Sequence, residues 1–362
     1  MDLLEAIEPP FFAPDLPGIG GHIKEQPEDF EVEEIPAYEP SGSGEHLFLW
    51  IEKRGLGAEY FARQVARRLG IAPGEVGTAG LKDRHAITRQ WVSAPASAEL
   101  RLGELEGEGI RLLRVSRHGN KLKPGHLRGN RFRILIRDPE PDAAGHVELV
   151  LDRIRRDGLP NYYGPQRFGT DGQTAQLGLA LLRGETPPSG ADGRALNVRS
   201  PFLRKLALSA AQSLLFNFYL GRRMREGLLR RVVPGDVMAK WPVGGMFVAE
   251  DVAAEQVRLE KREIVSAGPM FGRKTFPAKG DAAAREAAVL AEAELAMPAF
   301  AGFGKLLQGT RRHNFVYLDD LAAAAEPAGC RLTFSLPAGS YATVLLREVM
   351  KSALQSVEAD AE

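Results

Sequence analysis

The sequence holds a single cysteine, Cys330, among 362 residues. One thiol excludes an intramolecular disulfide and the thiolate clusters that bind structural zinc or iron–sulfur. A reducing, cytoplasmic compartment is the expectation. Long apolar runs are also lacking, and none approaches the ~20 residues that span a bilayer. The opening MDLLEAIEPPFF is acidic and broken by prolines, without the basic and then apolar regions of a secretory signal. No membrane partner is therefore expected. Net charge is lacking too, because 47 Lys and Arg balance 47 Asp and Glu. The seven histidines show no metal-ligand spacing. Neither a Walker phosphate loop nor a Rossmann glycine fingerprint occurs.

What is present is the composition of a globular protein, 44% hydrophobic and 26% charged. The length suggests two domains. Charge is segregated along the chain: residues 111–137 carry nine Lys or Arg and no acid. Acids gather near the N-terminus, over residues 281–296, and in the AEPA and VEADAE segments. The basic stretch fits either a local field that neutralises phosphates or a solvated surface.

Residues 30–35 alternate apolar and polar side chains, and HLFLWIEKR follows, so two strands are predicted. Residues 57–70 place Tyr60, Phe61, Val65 and Leu69 on one helical face, with Gly70 as the stop. Strands are predicted at 88–92 and in RFRILIRDP, where Phe132, Ile134 and Ile136 alternate. A helix is predicted over 141–156 and a loop through GLPNYYGPQRFG. Two helices are expected later, in LALSAAQSLLFNFYLGRRMRE and AAAREAAVLAEAELA, with short strands and turns over 232–277 between them. A strand at 332–336 then leads through Pro-Ala-Gly into a last helix, in the style of the first 140 residues. The pattern predicts an α+β fold. It has one domain built from 1–157 and 306–362, and a module over 158–305 inserted into it.

The segment GLKDRHAITRQW, residues 80–91, concentrates Lys82, Asp83, Arg84, His85, Thr88, Arg89 and Gln90 between a helix and a strand. A carboxylate among cations stays ionised and nucleophilic at neutral pH. The same residues also suit a turn of solvated charges. In KLKPGHLRGNRFRI, residues 121–134, Gly125 and Gly129 allow the backbone to approach a ligand closely. Asn130 can donate and accept together, as reading a base edge requires. Phe132 suits stacking or the core, and its alternation favours the core. NYYGPQRFG suits stacking on unpaired bases or a packed turn. Ser209 reads as a helix cap.

Taken in order, KEQPEDFEVEE, AGLKDRHAITRQW, KPGHLRGNRF, LPNYYGPQRFG, LSAAQSLLFN and LPAGSYATVLLRE resemble the TruD family of tRNA pseudouridine synthases. They cover nearly the whole chain; only 232–300 lacks a distinctive block. The resemblance implies a catalytic domain with a central mixed, largely antiparallel sheet and flanking helices, and an inserted family-specific domain. It also implies isomerisation of uridine at position 13 of the tRNA D arm, with no cofactor and no metal. By the same resemblance the catalytic aspartate is Asp83, with Lys82 beside it. Phe30, Lys24, Asn130, Phe132 and Tyr341 fall on substrate-binding positions. Some members carry phenylalanine where Tyr341 stands, so stacking on the base is the expected role. Nothing demands more than a monomer. The alternative is an RNA-binding or RNA-folding factor without catalysis, which the presence of Asp83 with Lys82 speaks against.

Overall fold

The computed structural model describes residues 3–186 and 200–352. The acidic VEADAE segment and residues 353–354 of the expected last helix lie outside the described residues. In chain order the elements begin with β1 (Phe30–Pro36), β2 (His46–Arg54), α1 (Ala58–Leu69), β3 (Gly77–Thr78), β4 (Ile87–Pro95), β5 (Ile110–His118), β6 (Leu127–Arg137) and α2 (Ala143–Asp157). There follow β7 (Leu159–Pro160), α3 (Gln173–Arg183), α4 (Pro201–Arg225), β8 (Val237–Lys240), β9 (Met246–Val248), α5 (Val252–Glu260), β10 (Ile264–Met270), α6 (Gly280–Glu292), β11 (Thr310–His313) and β12 (Phe315–Val316). Last come β13 (Ala322–Glu326), β14 (Gly329–Pro337) and α7 (Ala342–Met350).

The chain divides into two compact units. One comprises Leu16–Arg155, Leu318–Ala342 and Val349–Glu362; the other comprises Met1–Asp15, Arg156–Tyr317 and Thr343–Glu348. In the first unit an eight-stranded sheet runs β13-β14-β6-β1-β4-β2-β5, with β3 added beside β4. Only β1 and β4 run parallel; the other pairs are antiparallel. The sheet is thus mixed and largely antiparallel, and the fold is α+β.

Alternation decides which face each residue takes, because directly opposed residues on neighbouring strands share a face. Phe30, Val32 and Glu34 of β1 lie opposite Ile134, Phe132 and Asn130 of β6. Leu332, Phe334 and Leu336 of β14 continue those rows on the other side of β6. In β2 the residues in phase are Leu47, Leu49 and Ile51, which pack with Phe61, Val65 and Leu69 of α1. Truncating such a buried aromatic as Phe61 to alanine costs about 3–5 kcal/mol. Tyr60 does not share that face and is exposed. It precedes Phe61 by one residue, about 100° around the helix, while positions 61, 65 and 69 stack one above the other. Gly70 ends α1 in the left-handed conformation, φ 66°, its N–H reaching the carbonyls of Ala66 and Arg67.

The other unit has a four-stranded sheet, β11-β10-β8-β9, and the long helix α4, whose middle is buried on nearly all sides. Two expectations need correction there. Residues 232–277 contain a helix, α5, started by the Asp251 side chain accepting from the Ala254 N–H. Ser209 lies inside α4 and caps nothing; Ser200 is the cap, accepting from the Leu203 N–H. Pro201 at the first helical position sets that start eight residues earlier.

Asp29, in the turn that opens β1, is buried and takes two hydrogen bonds from Arg137 at the end of β6, 2.8 and 2.9 Å. Burial alone would raise the Asp29 carboxyl. The Arg137 and Gln26 hydrogen bonds outweigh it and hold the carboxyl below its ordinary 3.8. Stability from this group is therefore fully present above pH 3.8 and is lost as pH falls below it through the folded pKa. Asp29→Asn is expected to cost about 1.5–3 kcal/mol at pH 7. The difference from wild type should shrink below pH 3.8, as urea unfolding followed by tryptophan fluorescence will read.

Candidate active site

The segment between β3 and β4 carries the GLKD sequence. Its exposure alternates: Leu81 is 82% exposed, Lys82 is 8% exposed, and the Asp83 side chain is 55% exposed. Lys82 is drawn inward by Glu34, whose Oε2 lies 3.1 Å from its Nζ, with the two side chains 4% and 1% exposed. Glu34 is inside because it is in phase with Phe30 and Val32. Burial raises the Glu34 carboxyl, and Lys82 and the Trp91 backbone N–H offset this only in part. A buried pair of this kind adds little net stability, but losing one partner strands a charge at about 3–5 kcal/mol. Its effect here is geometric: with Lys82 turned in, its neighbours Leu81 and Asp83 turn out.

The Asp83 carboxylate meets Lys24, Oδ2 to Nζ 3.6 Å. Lys24 adopts φ 62°, a left-handed conformation rare outside glycine. Its ammonium sits 4.4 Å from the centre of the Phe30 ring. Phe30 meets Phe132 edge-on at 6.3 Å, and Phe132 stacks on Phe334 at 5.2 Å. Side-chain contacts therefore join Asp83, Lys24, Phe30 and Phe132, drawn from a loop, the chain before β1, β1 and β6. Both predicted phenylalanines are buried in the apolar face, which matches the core reading of Phe132.

Asn130 is half-buried on β6, opposite Glu34 of β1 and Leu336 of β14. Its Oδ1 is buried with no hydrogen-bond partner among the described residues, as are Glu34 Oε1, Thr88 Oγ1 and Gln90 Oε1. Tyr341 is half-buried in the turn between β14 and α7, close in sequence to Leu336. The register of β14 on β6 ends at Pro337 opposite Gly129, before Tyr341 is reached. Gly129 does bring backbones together, but within the chain: a Cβ there would meet the Leu336 carbonyl oxygen at 2.2 Å.

Two residues at this site went unnoticed in the sequence reading. Glu34 is one. The other is Lys53 of β2, which is wholly buried. Its Nζ donates to the carbonyls of Leu56, Lys82 and Asp83 at 2.5, 3.2 and 2.8 Å. Burial pushes the Lys53 ammonium down to about 8; Asp83 pulls it up and Lys82 pushes it further down. Both residues left the same signal in the sequence, a charge in phase with the apolar side of an alternating strand.

The opposite side of the sheet carries charge. Arg89 binds Glu52 at 2.8 Å and Glu31 at 3.3 Å, and Arg131 reaches Glu33 at 3.3 Å. Of the basic stretch, Arg111, Arg114, Arg117 and Arg137 are also paired with acids. Lys123, Arg128 and Arg133 are exposed and make no ion pair among the described residues. In NYYGPQRFG, Tyr162 is buried and Tyr163 is covered by the Arg312 guanidinium, 4.0 Å from its ring centre. Arg167 donates to the hydroxyls of Ser209 and Ser213. That segment is a packed turn. Among the described residues no three His, Cys, Asp or Glu gather as metal ligands. No single helix among them is long and apolar enough to cross a membrane.

The family model of tRNA pseudouridine synthase D (TruD) matches residues 6–192 and 188–349. A tRNA pseudouridine synthase D from a species of Anaeromyxobacter is 44% identical over 351 residues, covering 97% of this chain and 98% of that protein. The protein of the same name from Thermus thermophilus is 45% identical over 353 residues, covering 97% and 95%. Among solved structures, the crystal structure of the putative tRNA pseudouridine synthase D from Methanosarcina mazei superposes with a TM-score of 0.79. It is 24% identical and covers 97% of this chain and 98% of that one. That likeness bears on the fold, and the sequence matches bear on descent: the chain belongs to the TruD family of pseudouridine synthases.

Proposed function

We propose that the chain isomerises uridine to pseudouridine in tRNA, at position 13 of the D arm, with Asp83 as the catalytic carboxylate. The observation that carries this reading is the half-exposed Asp83 carboxylate, 3.6 Å from the Lys24 ammonium and seated on a loop anchored through Lys82. Family membership supplies the reaction class. We also propose that the unit holding Asp83 is the catalytic domain and that the other unit grips RNA.

Pseudouridine formation breaks the bond between N1 of the base and C1′ of the sugar. The uracil turns, C5 bonds to C1′, and the C5 proton is lost while N1 gains one. Atoms and electrons are conserved, so the reaction calls for no electron carrier or co-substrate. The target base must leave its stack, at a cost of a few kcal/mol. Tyr341 offsets that by stacking on it, worth roughly 1–3 kcal/mol. Asp83 acts either by adding to the sugar or the base or by removing a proton from the sugar. Lys24, 3.6 Å away, holds the direction of the carboxylate. Phe30 is the floor on which Lys24 rests, with Phe132 edge-on beside it, and Asn130 holds the flipped base or its phosphate.

Incubation with unmodified tRNA transcripts, followed by position-specific detection of pseudouridine, tests reaction, substrate and site together. Pseudouridine at position 13 is expected, and its absence from every tRNA would sink the reading. Asp83→Asn should fold and bind tRNA yet form no pseudouridine; turnover near the wild-type rate would remove Asp83 from the catalytic role. Tyr341→Phe should keep most activity, whereas Tyr341→Ala should lose roughly 5- to 150-fold, the equivalent of one stacked base. A loss in Tyr341→Phe as deep as in the alanine variant would transfer the role to the hydroxyl. If Lys123, Arg128 and Arg133 contact phosphates, replacing all three with glutamine should lower the slope of log affinity against log salt by about 2–3. An unchanged slope would exclude that surface.

A further inference from the structure

Lys53 stands out as a residue that the fold alone does not require. It continues the row Leu47, Leu49, Ile51 on the apolar side of β2, where a leucine or methionine would bury without a desolvation cost. Among the described residues it makes no ion pair. Its three N–H donors meet three acceptors, all backbone carbonyls, and two of these belong to Lys82 and Asp83.

We propose that Lys53 is a positioning residue for Asp83, its ammonium clamping the two consecutive carbonyls of Lys82 and Asp83 and so fixing the direction in which the Asp83 side chain leaves the backbone. This rests on the proposed role of Asp83. Two consecutive carbonyls tied to one buried point leave the Asp83 backbone little rotation, and the side chain is aimed by what remains. Lys82 anchors the same loop separately, through its side chain and Glu34. The clamp and the anchor thus grip neighbouring residues from different strands, β2 and β1.

The clamp needs the charged form. A neutral amine has two N–H donors and a lone pair, which turns one of the three carbonyls from partner to repeller. The groups that set the charge are burial first, then Asp83 above and Lys82 beside it, the first favouring the ammonium and the second opposing it. Asp83 is itself paired with Lys24, and Lys82 with Glu34. Across the sheet Lys53 faces Thr88 of β4 and Ile110 of β5, neither of them ionisable. With the ammonium pushed down to about 8, the loop should loosen as pH rises through that value.

The test is single-turnover pseudouridine formation on a tRNA transcript from pH 6.5 to about 9.5, with wild type, Lys53→Met and Lys53→Arg. The wild-type rate should fall above pH 8. At pH 7 Lys53→Met should lose about 10²-fold in rate with little change in the enzyme concentration that gives half the maximal rate, and its remaining activity should lack the alkaline fall. Lys53→Arg, charged throughout this range, should recover part of the rate and also lack that fall. Wild-type rate in Lys53→Met, or an alkaline fall that survives in it, would overturn the proposal. Amide hydrogen exchange on the wild-type protein gives a second measure that needs neither variant nor RNA. Protection of the Ala86 amide, which donates to the Arg84 carbonyl at 2.9 Å, should drop between pH 7 and 9 after correction for intrinsic base catalysis while the body of β4 stays protected; unchanged protection at Ala86 would also overturn the clamp. If protection drops as expected but no RNA is turned over, the clamp stands and the proposed reaction fails.

Discussion

The buried ion pair between Glu34 and Lys82 is the constraint on which the arrangement around Asp83 depends. It commits an acid to the apolar side of the central strand β1 and pulls one residue of the loop between β3 and β4 down to meet it. Pairs this deeply buried are poor stabilisers, since the desolvation of two charges roughly cancels their attraction. What they do well is fix register. Here the register is that of a short loop relative to a sheet, and its outcome is that Leu81 and Asp83 face outward. Remove the pair and a hydrophobic substitute would bury as well, but nothing would then decide which of three successive residues points in.

Much of this was legible in the sequence, and the parts that were not share a cause. Alternation placed β1 close to its observed bounds and found β6 with its start four residues late, HLFLWIEKR matched β2, and Gly70 marked the end of α1. These are local properties, carried by residues two to four positions apart. The helix α5 was hidden because its nine residues are flanked by strand-like segments with Gly and Pro. The order of strands in the sheet was hidden because pairing is non-local; nothing near residue 30 announces that β1 lies between β4 and β6. The meeting of Lys24 with Asp83 follows from that order, and no composition within either segment implies it. Glu34 and Lys53 are a different case. Each was visible as a charge out of place in an alternating strand, and each is where the sheet gives up burial energy for geometry. Gly129 shows the reverse: a glycine that suggested space for a ligand makes room for the chain's own β14.

Charge balance illustrates the same point on the surface. The neutral total conceals arginines that are spent within the sheet, Arg89 between two glutamates and Arg137 on Asp29, and others that face solvent. Only the second kind is available to a phosphate. Counting basic residues along the basic stretch therefore overstates the field: the pairing pattern leaves Lys121, which donates to the Gly74 carbonyl, and the exposed Lys123, Arg128 and Arg133.

The sheet order has a consequence for how the chain is made. β6 ends at Arg137, and its neighbour β14 begins at Gly329. During synthesis at about 5–20 residues per second, the interval between them is roughly 10–40 s. Until then β6 has no partner on that side, and an open strand edge invites pairing with other chains. Its outward residues in this stretch include Arg131 and Arg133, whose charges discourage such pairing. An edge left open for that long is thus lined by two arginines that stay exposed in the finished sheet.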